Sequence, residues 1–498
     1  MVNTVTEYLE ATAARFPNKL AFSDDVISLT FSDLRTLSRR IGSLIGRRGY
    51  GKKPVAIFLD KTPYCIAAMM GVPYGGCFYT VIDVHMPQAR IEKIMGVLEP
   101  AAVFTDREHE EAARAFAKDA DVLLLEDTQA AEEDAVLLEE IHKGQTQEDI
   151  FYVLFTSGST GIPKGVVTTH RAEIHYLEMI AAELPVNEDS IFCNQAPFYF
   201  VLSGFEIFST IKNGATTFIP PQGHFMFPVV LLNYMKEHHV NSIYWVPSML
   251  SLVANFRALP EVHLDDLKVV FFGGESMPAK QLNMWRREYP DVAFYNLYGP
   301  TELTDICTYY LVEGDIADND SISIGIPGRN MKLVVLDDNN ELVKPGGVGE
   351  LCAAGPSLAE GYYKDPERTA AVFTPNPVDP SERIYHTGDL VQMTEEGELV
   401  FLGRKDFQIK HMGNRIELGE IEANVSALDG IDVVCCVFDQ KRDRIICFYT
   451  GTMDEKDLNE ALKASLPEYM IPNRYEHLEA MPFNLNGKID RALLKTRI

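Results

Sequence analysis

The segment Phe151–Gly165, FYVLFTSGSTGIPKG, gathers residue types that can do phosphate chemistry. An apolar run of strand character feeds a loop with three glycines, four hydroxyl residues and one lysine. Backbone N–H groups and hydroxyls in such a loop can cradle phosphate oxygens, with Lys164 adding positive charge. The spacing is not that of a Walker P-loop, which needs Gly at 163 and Ser or Thr at 165; Pro163 and Gly165 stand there. A Gly/Ser/Thr cluster alone reads as a flexible loop. The strand before it and the Pro-Lys-Gly ending favour an anion site.

TSGSTGIPKG resembles the signature loop of the adenylate-forming superfamily: acyl- and aryl-CoA synthetases, luciferases and nonribosomal-peptide adenylation domains. Further blocks of that family follow in order. They are FGGESM (272–277), NLYGPTE (296–302), GELCAAGPSLAEGYYKDPER (349–368), YHTGDL (385–390), GRKDFQIKHMGNRIELGEIE (403–422) and NGKIDR (486–491). The last two are similar to the carrier-protein-dependent branch. Overall length resembles stand-alone enzymes such as the D-alanine:carrier protein ligase.

The resemblance implies ATP and Mg²⁺ as cofactors and assigns roles. Thr156, Ser157, Gly158, Ser159, Thr160 and Lys164 would hold the β- and γ-phosphates. Tyr298 would stack on adenine, with Gly273, Gly274 and Glu275 along its edge and Asn296 and Gly299 in the same nucleotide site. Thr301 would touch the α-phosphate and Glu302 would ligate Mg²⁺, a hard cation suited to oxygen donors. Asp389 and Arg404 would take the ribose, and Lys488 would stabilise charge where the acyl–phosphate bond forms. Asp406 would be the hinge of a mobile small domain. Singly, each has a plainer reading: Asp389 as a turn residue, Tyr298 as core, Lys488 as a solvated side chain.

The substrate pocket departs from the family pattern. Adenylation domains for α-amino acids carry F-D-x-S, whose Asp pairs with the ammonium; this chain has Phe200-Val201-Leu202-Ser203. Valine cannot pair with an ammonium, and burying one unpaired is costly. Carrying the family's pocket positions across gives a lining of Phe200, Val201, Leu202, Phe205, Trp245, Val270, Phe272, Leu297, Asp305 and Ile306, apolar but for one acid. An amine-free small or aryl acid fits that lining. A β- or ω-amino acid paired with Asp305 is the second reading, and D-alanine or another amino acid a third.

These residues need a scaffold. Short β-branched or aromatic runs (PVAIFLD, FYTVID, AAVFT, VLLLE, SIYWV, KVVFF) alternate with amphipathic segments, which predicts α/β architecture with mostly parallel sheets. After about residue 320, DDNNE and EEGE mark hairpins of an antiparallel region, expected as a distorted β-barrel. From Phe407 a small mobile α+β block follows. The expected domains are therefore 1–405, holding nucleotide and acid, and 406–498, hinged at Asp406 and carrying Lys488.

The chain has 498 residues, 45 Lys plus Arg against 72 Asp plus Glu, and a net charge of −27. Such a surface repels nucleic acid and anionic membranes. The uncharged stretch between Lys61 and Asp83 is broken by prolines and glycines, so it reads as a buried helix, a turn and a core strand, not a membrane span. Residues 105–150 are the most acidic tract and read as a solvated helical face. The eight cysteines show no C-x-x-C pair and no zinc-ligand spacing, and read as reduced thiols of a cytoplasmic protein.

No G-G-x-S pantetheine-attachment block follows residue 491, so a thiol acceptor would come in trans: a holo-carrier protein, or alternatively free CoA. Residues 407–498 hold 12 basic and 15 acidic residues, leaving that block far less acidic than the rest and able to meet an acidic carrier. The expected partners are thus a carboxylic acid and a carrier, with no nucleic acid and no membrane. The reading from another class is an inactive binding or scaffold protein. Lys164, Glu302, Asp389, Arg404 and Lys488 are all retained, which argues against it.

Overall fold

A computed structural model describes residues 2–130, 132–158, 161–395, 397–406, 408–483 and 489–498. The chain forms two compact units. One comprises Met1–Val84, Glu99–Leu154 and Val166–Lys405; the other comprises His85–Leu98, Phe155–Gly165 and Asp406–Ile498.

Two large sheets organise the first unit. In one, the strands run in the order Gly361–Tyr362, Lys164–Thr169, Ile150–Thr156, Phe78–Ile82, Pro54–Phe58, Ala102–Thr105, Asp121–Leu124. Pairing is parallel from Ile150–Thr156 through to Asp121–Leu124. All five residues of PVAIF and of FYTVI are buried, as expected where helices cover both faces of a parallel sheet. The segment after Lys61 is the helix Pro63–Tyr74, buried on nearly every side, followed by a Gly-Gly turn and the strand Phe78–Ile82. No helix among the described residues is long and apolar enough to cross a membrane.

The second sheet has nine strands: Ile326–Pro327, Thr308–Leu311, Ala293–Tyr298, Val269–Gly273, Ser242–Trp245, Ile191–Cys193, Thr216–Phe218, Leu20–Ser23, Ser28–Thr30. Its central pairings are parallel. The helices His170–Glu183 and Leu202–Asn213 contribute Leu177, Ile180, Phe205 and Phe208 to the same core as Phe192, Tyr244 and Phe271. Carboxyl ends of such parallel strands are where ligands bind in open α/β sheets. The antiparallel region is a five-stranded sheet in which Arg383–Met393 pairs with Val348–Ala354 on one edge and with Phe373–Pro375 and Leu399–Arg404 on the other. The DDNNE turn closes as expected, Asp337 N–H donating to the Glu341 carbonyl, and Thr394 N–H donates to the carbonyl of Glu398.

In the second unit the strands Ile431–Asp439, Arg444–Gly451 and Arg474–His477 form one sheet and Gln408–His411 with Asn414–Glu417 a hairpin. The helices Leu418–Ser426 and Glu455–Lys463 pack their apolar faces, Ile421, Val425, Leu458 and Leu462, against that sheet. Asp454 caps the second of them, its side chain accepting from Asp457 N–H. All eight cysteines are free and buried, and no acidic residue in 105–150 is buried.

Candidate active site

The phosphate-type loop leaves the strand Ile150–Thr156 and re-enters at Lys164–Thr169. Its described residues carry polar groups turned inward. The Thr156 hydroxyl is buried and has no hydrogen-bond partner among the described residues. Ser157 Oγ donates to the Arg415 carbonyl at 2.7 Å and accepts from Glu417 N–H at 3.2 Å. Gly158 N–H donates to Glu420 Oε2 at 3.1 Å, while Arg90 holds Glu420 Oε1 at 2.5 Å. Lys164 is buried. This loop N–H is therefore met by a carboxylate in this structure. Ser159 and Thr160 lie outside the described residues, as does Lys488.

In the first unit, two residues assigned to nucleotide converge on the carboxylate of a third. Tyr298 Oη donates to Asp389 Oδ2 at 2.5 Å and the Arg404 guanidinium donates to Asp389 Oδ1. Asp389 and Arg404 are register partners on adjacent strands, so sheet pairing sets this contact. A carboxylate has about four acceptor positions, so ribose hydroxyls can still be accepted beside these donors. Burial and the Asp389 carboxylate push the Tyr298 phenol well above its ordinary value, keeping it a neutral donor.

Glu302 is fully buried and accepts from Tyr362 Oη at 2.7 Å; Thr301 opens the short 3₁₀ turn that contains it. Gly299 is needed by close approach: a Cβ there would collide with the Asp305 carbonyl oxygen. Gly273 is hemmed in likewise by the Leu297 carbonyl, and Gly274 has φ of +88°. Glu275 accepts from Ser248 N–H at 3.0 Å, at the start of the helix Pro247–Asn255, and the Asn296 amide donates to the Ser323 carbonyl at 2.8 Å. Asp406 accepts from Gln408 N–H at 3.1 Å, tying it to the start of the hairpin that follows.

The expected pocket lining divides between two faces of the nine-stranded sheet. Val201, Phe205, Leu297 and Ile306 lie in one apolar cluster, with Leu202 and Asp305 beside it. Trp245, Val270 and Phe272 do not join them. They lie in the cluster on the opposite face, where Trp245 Nε1 donates to the Cys193 carbonyl. Side chains alternate along a strand, so the neighbours Tyr244 and Phe271 take the places expected of Trp245 and of Val270 and Phe272. Tyr244 and Phe271 pack on Phe205 with ring centroids 4.8 and 5.1 Å away. Phe200 stacks obliquely on Tyr199 and is half-buried.

Asp305 points into the Phe205 side. Its Oδ2 accepts from Tyr176 Oη at 2.8 Å and its Oδ1 from Tyr244 Oη at 3.5 Å. Burial pushes its carboxyl up to about 7 against the pull of both phenols. Tyr176, Tyr244 and Phe271 are absent from the motif-based lining. Within the runs SIYWV and VVFFG every residue is apolar or small, so the sequence pattern carries no parity signal there.

A family model described as AMP-binding enzyme matches residues 9–363. An L-proline–[L-prolyl-carrier protein] ligase from Streptomyces coelicolor is 33% identical over 466 residues, covering 88% of this chain and 86% of its own length. Tyrocidine synthase 3 of Brevibacillus parabrevis is 31% identical over 98% of this chain, which spans only 8% of that protein. Among solved structures, holo-PA1221, a nonribosomal peptide synthetase protein containing adenylation and PCP domains, superposes with a TM-score of 0.85 at 23% identity, covering all of this chain and 84% of that one. The chain belongs to the AMP-binding enzyme family and shares the adenylation-domain fold.

Proposed function

We propose that the protein is an ATP-dependent ligase that activates a small carboxylic acid and passes the acyl group to the phosphopantetheine thiol of a separate carrier protein. A carboxylate is a poor electrophile because its leaving oxygen is too basic. Attack of the substrate carboxylate oxygen on the α-phosphorus of ATP forms the acyl–phosphate linkage and expels pyrophosphate. A thiolate then attacks the acyl carbon, AMP leaves, and the thiol proton passes to solvent. Both steps develop negative charge, so catalysis is largely positioning and electrostatics.

The observation that carries this reading is the convergence of Tyr298 and Arg404 on Asp389, which leaves a buried, oriented carboxylate for a sugar's hydroxyls. The buried Thr156 hydroxyl, without a hydrogen-bond partner among the described residues, suits the phosphates together with the loop N–H groups and Lys164. Mg²⁺ fits the donor set, because it takes one or two carboxylates with phosphate oxygens, and Glu302 offers a buried carboxylate steadied by Tyr362. When bound, the ion would neutralise phosphate charge. Thr301 would steer the α-phosphate, Lys488 would meet the substrate carboxylate, and Asp406 would let the segment after it reorient between half-reactions.

Val201, in place of an ammonium partner, disfavours standard α-amino acids. A carrier is favoured over CoA by the relative that is a carrier-protein ligase and by the A–PCP neighbour. Following AMP release with holo-carrier or with CoA distinguishes the acceptors: faster release with CoA than with any holo-carrier replaces the carrier reading by a CoA ligase.

A further inference from the structure

Asp305 reaches its partners through an unusual backbone. Thr304 and Asp305 both have positive φ, +54° and +76°, which costs free energy in any L-residue and more in β-branched threonine. Thr304 Oγ1 holds the turn by donating to the Ser357 carbonyl at 2.8 Å. This strained turn delivers the carboxylate to two phenols on different elements, Tyr176 of the helix His170–Glu183 and Tyr244 of the strand Ser242–Trp245. The carboxylate does not cap its own loop.

The surroundings are short of positive charge. Glu173, one helical turn from Tyr176, is buried; its Oε2 accepts from Tyr152 Oη at 3.0 Å and its Oε1 has no partner among the described residues. Glu206 is buried behind Tyr244, accepting that residue's backbone N–H and the Asn194 amide. Among the described residues no cation acts on Asp305 or Glu173: Asp305 meets two phenols, and Glu173 meets the Tyr152 phenol and the Asp305 charge. Burial pushes Glu173 up to about 8 with no cation among the described residues opposing it, and pushes Glu206 to about 8 against the pull of the Lys61 ammonium.

We propose that Tyr176, Asp305 and Tyr244 form the recognition element for an ammonium group carried beyond the α-carbon of the substrate, making the preferred acid a short β- or γ-amino acid. This rests on the ligase reading above and adds the substrate class to it. Val201 leaves an α-ammonium without an anion, whereas Asp305 supplies one on the same face. The acid is short because Phe205, Phe271 and Leu297 fill the adjoining space, each nearly inaccessible. Tyr244 Oη lies beside Gly273, 3.0 Å from where a Cβ would stand, so the element sits at the carboxyl end of its strand, next to the segment assigned to nucleotide.

The test is acid-dependent ATP–pyrophosphate exchange with matched sets: β-alanine and γ-aminobutyrate, their amine-free isosteres, and L- and D-alanine. The β- and γ-amino acids should exceed the isosteres at least tenfold in kcat/KM. Asp305→Asn should lower kcat/KM for the amino acids about 100-fold, the scale of stranding one partner of a buried pair, with little change for the isosteres. Tyr176→Phe should lower it less, in the same substrate-selective way, and guards against misfolding of the first variant. Equal use of the isosteres, efficient use of either alanine enantiomer, or exchange only with other acids overturns the amine assignment. Absence of exchange with every acid, together with no thermal stabilisation by ATP and Mg²⁺, overturns the ligase reading instead.

Discussion

Gly158 N–H donates to Glu420 Oε2 at 3.1 Å, and the same carboxylate is paired with Arg90 within the compact unit that holds all three. A buried acid thus occupies a backbone donor of the loop assigned to phosphate. Binding of ATP phosphates at Gly158 requires Glu420 to leave. Glu420→Gln, a weaker acceptor with no charge, should lower the KM for ATP in pyrophosphate exchange several-fold; an unchanged KM would separate the contact from nucleotide binding. Because the change also removes the charge paired with Arg90, the melting midpoint should fall.

Asp389 and Tyr298 can be separated by size of effect. Asp389→Asn removes the charge that pairs with Arg404 and should cut acid-dependent exchange by 100-fold or more. Tyr298→Phe keeps the ring and loses only a hydrogen bond to a charged group, worth about 1.5–3 kcal/mol, so roughly tenfold to 150-fold. If the phenylalanine variant were the worse of the two, the Tyr298 hydroxyl would carry more of the function than the Asp389 charge.

Stability should fall as pH rises through neutrality. Glu173 is raised from 4.5 to about 8 by burial, so the folded state holds its proton more tightly than the unfolded chain. The stabilising protonation is complete below about pH 4.5 and is lost as pH climbs towards about 8. Asp305 faces Glu173 and adds the same sign up to about 7; Glu206 adds it up to about 8. Thermal melts between pH 5 and 8 should show a declining midpoint, with a shallower decline in Glu173→Gln. A parallel slope in that variant removes Glu173 from the account.

Much of the scaffold was legible because its pattern is physical. PVAIF and FYTVI read as core strands since both faces are buried, and Pro and Gly broke the apolar stretch after Lys61 into helix and strand. The same double burial hid the pocket's register: with every residue of SIYWV apolar or small, motif carry-over chose Trp245, Val270 and Phe272, whereas alternation gives Tyr244 and Phe271 to the Phe205 side. Tyr176 carries no motif and meets Asp305 only through tertiary packing, 129 positions away. The Arg90–Glu420 pair, 330 positions apart, was equally invisible.

Asp406 and Lys488 test the two half-reactions. Asp406→Pro should slow overall thioester formation more than adenylation alone, because proline fixes φ at the position assigned to the hinge. Equal loss in both steps removes that role. Lys488→Ala should cut adenylation severely yet spare thioester formation from preformed acyl-adenylate; a joint fall reassigns the lysine to folding or general binding.

The most direct measurement is ATP–pyrophosphate exchange by the intact protein across a broad acid panel, with and without Mg²⁺, repeated in Asp389→Asn. The account predicts exchange that needs both acid and Mg²⁺, is selective for a small class of short acids, and nearly vanishes in the variant. Exchange absent with every acid, or undiminished by Asp389→Asn, would contradict it.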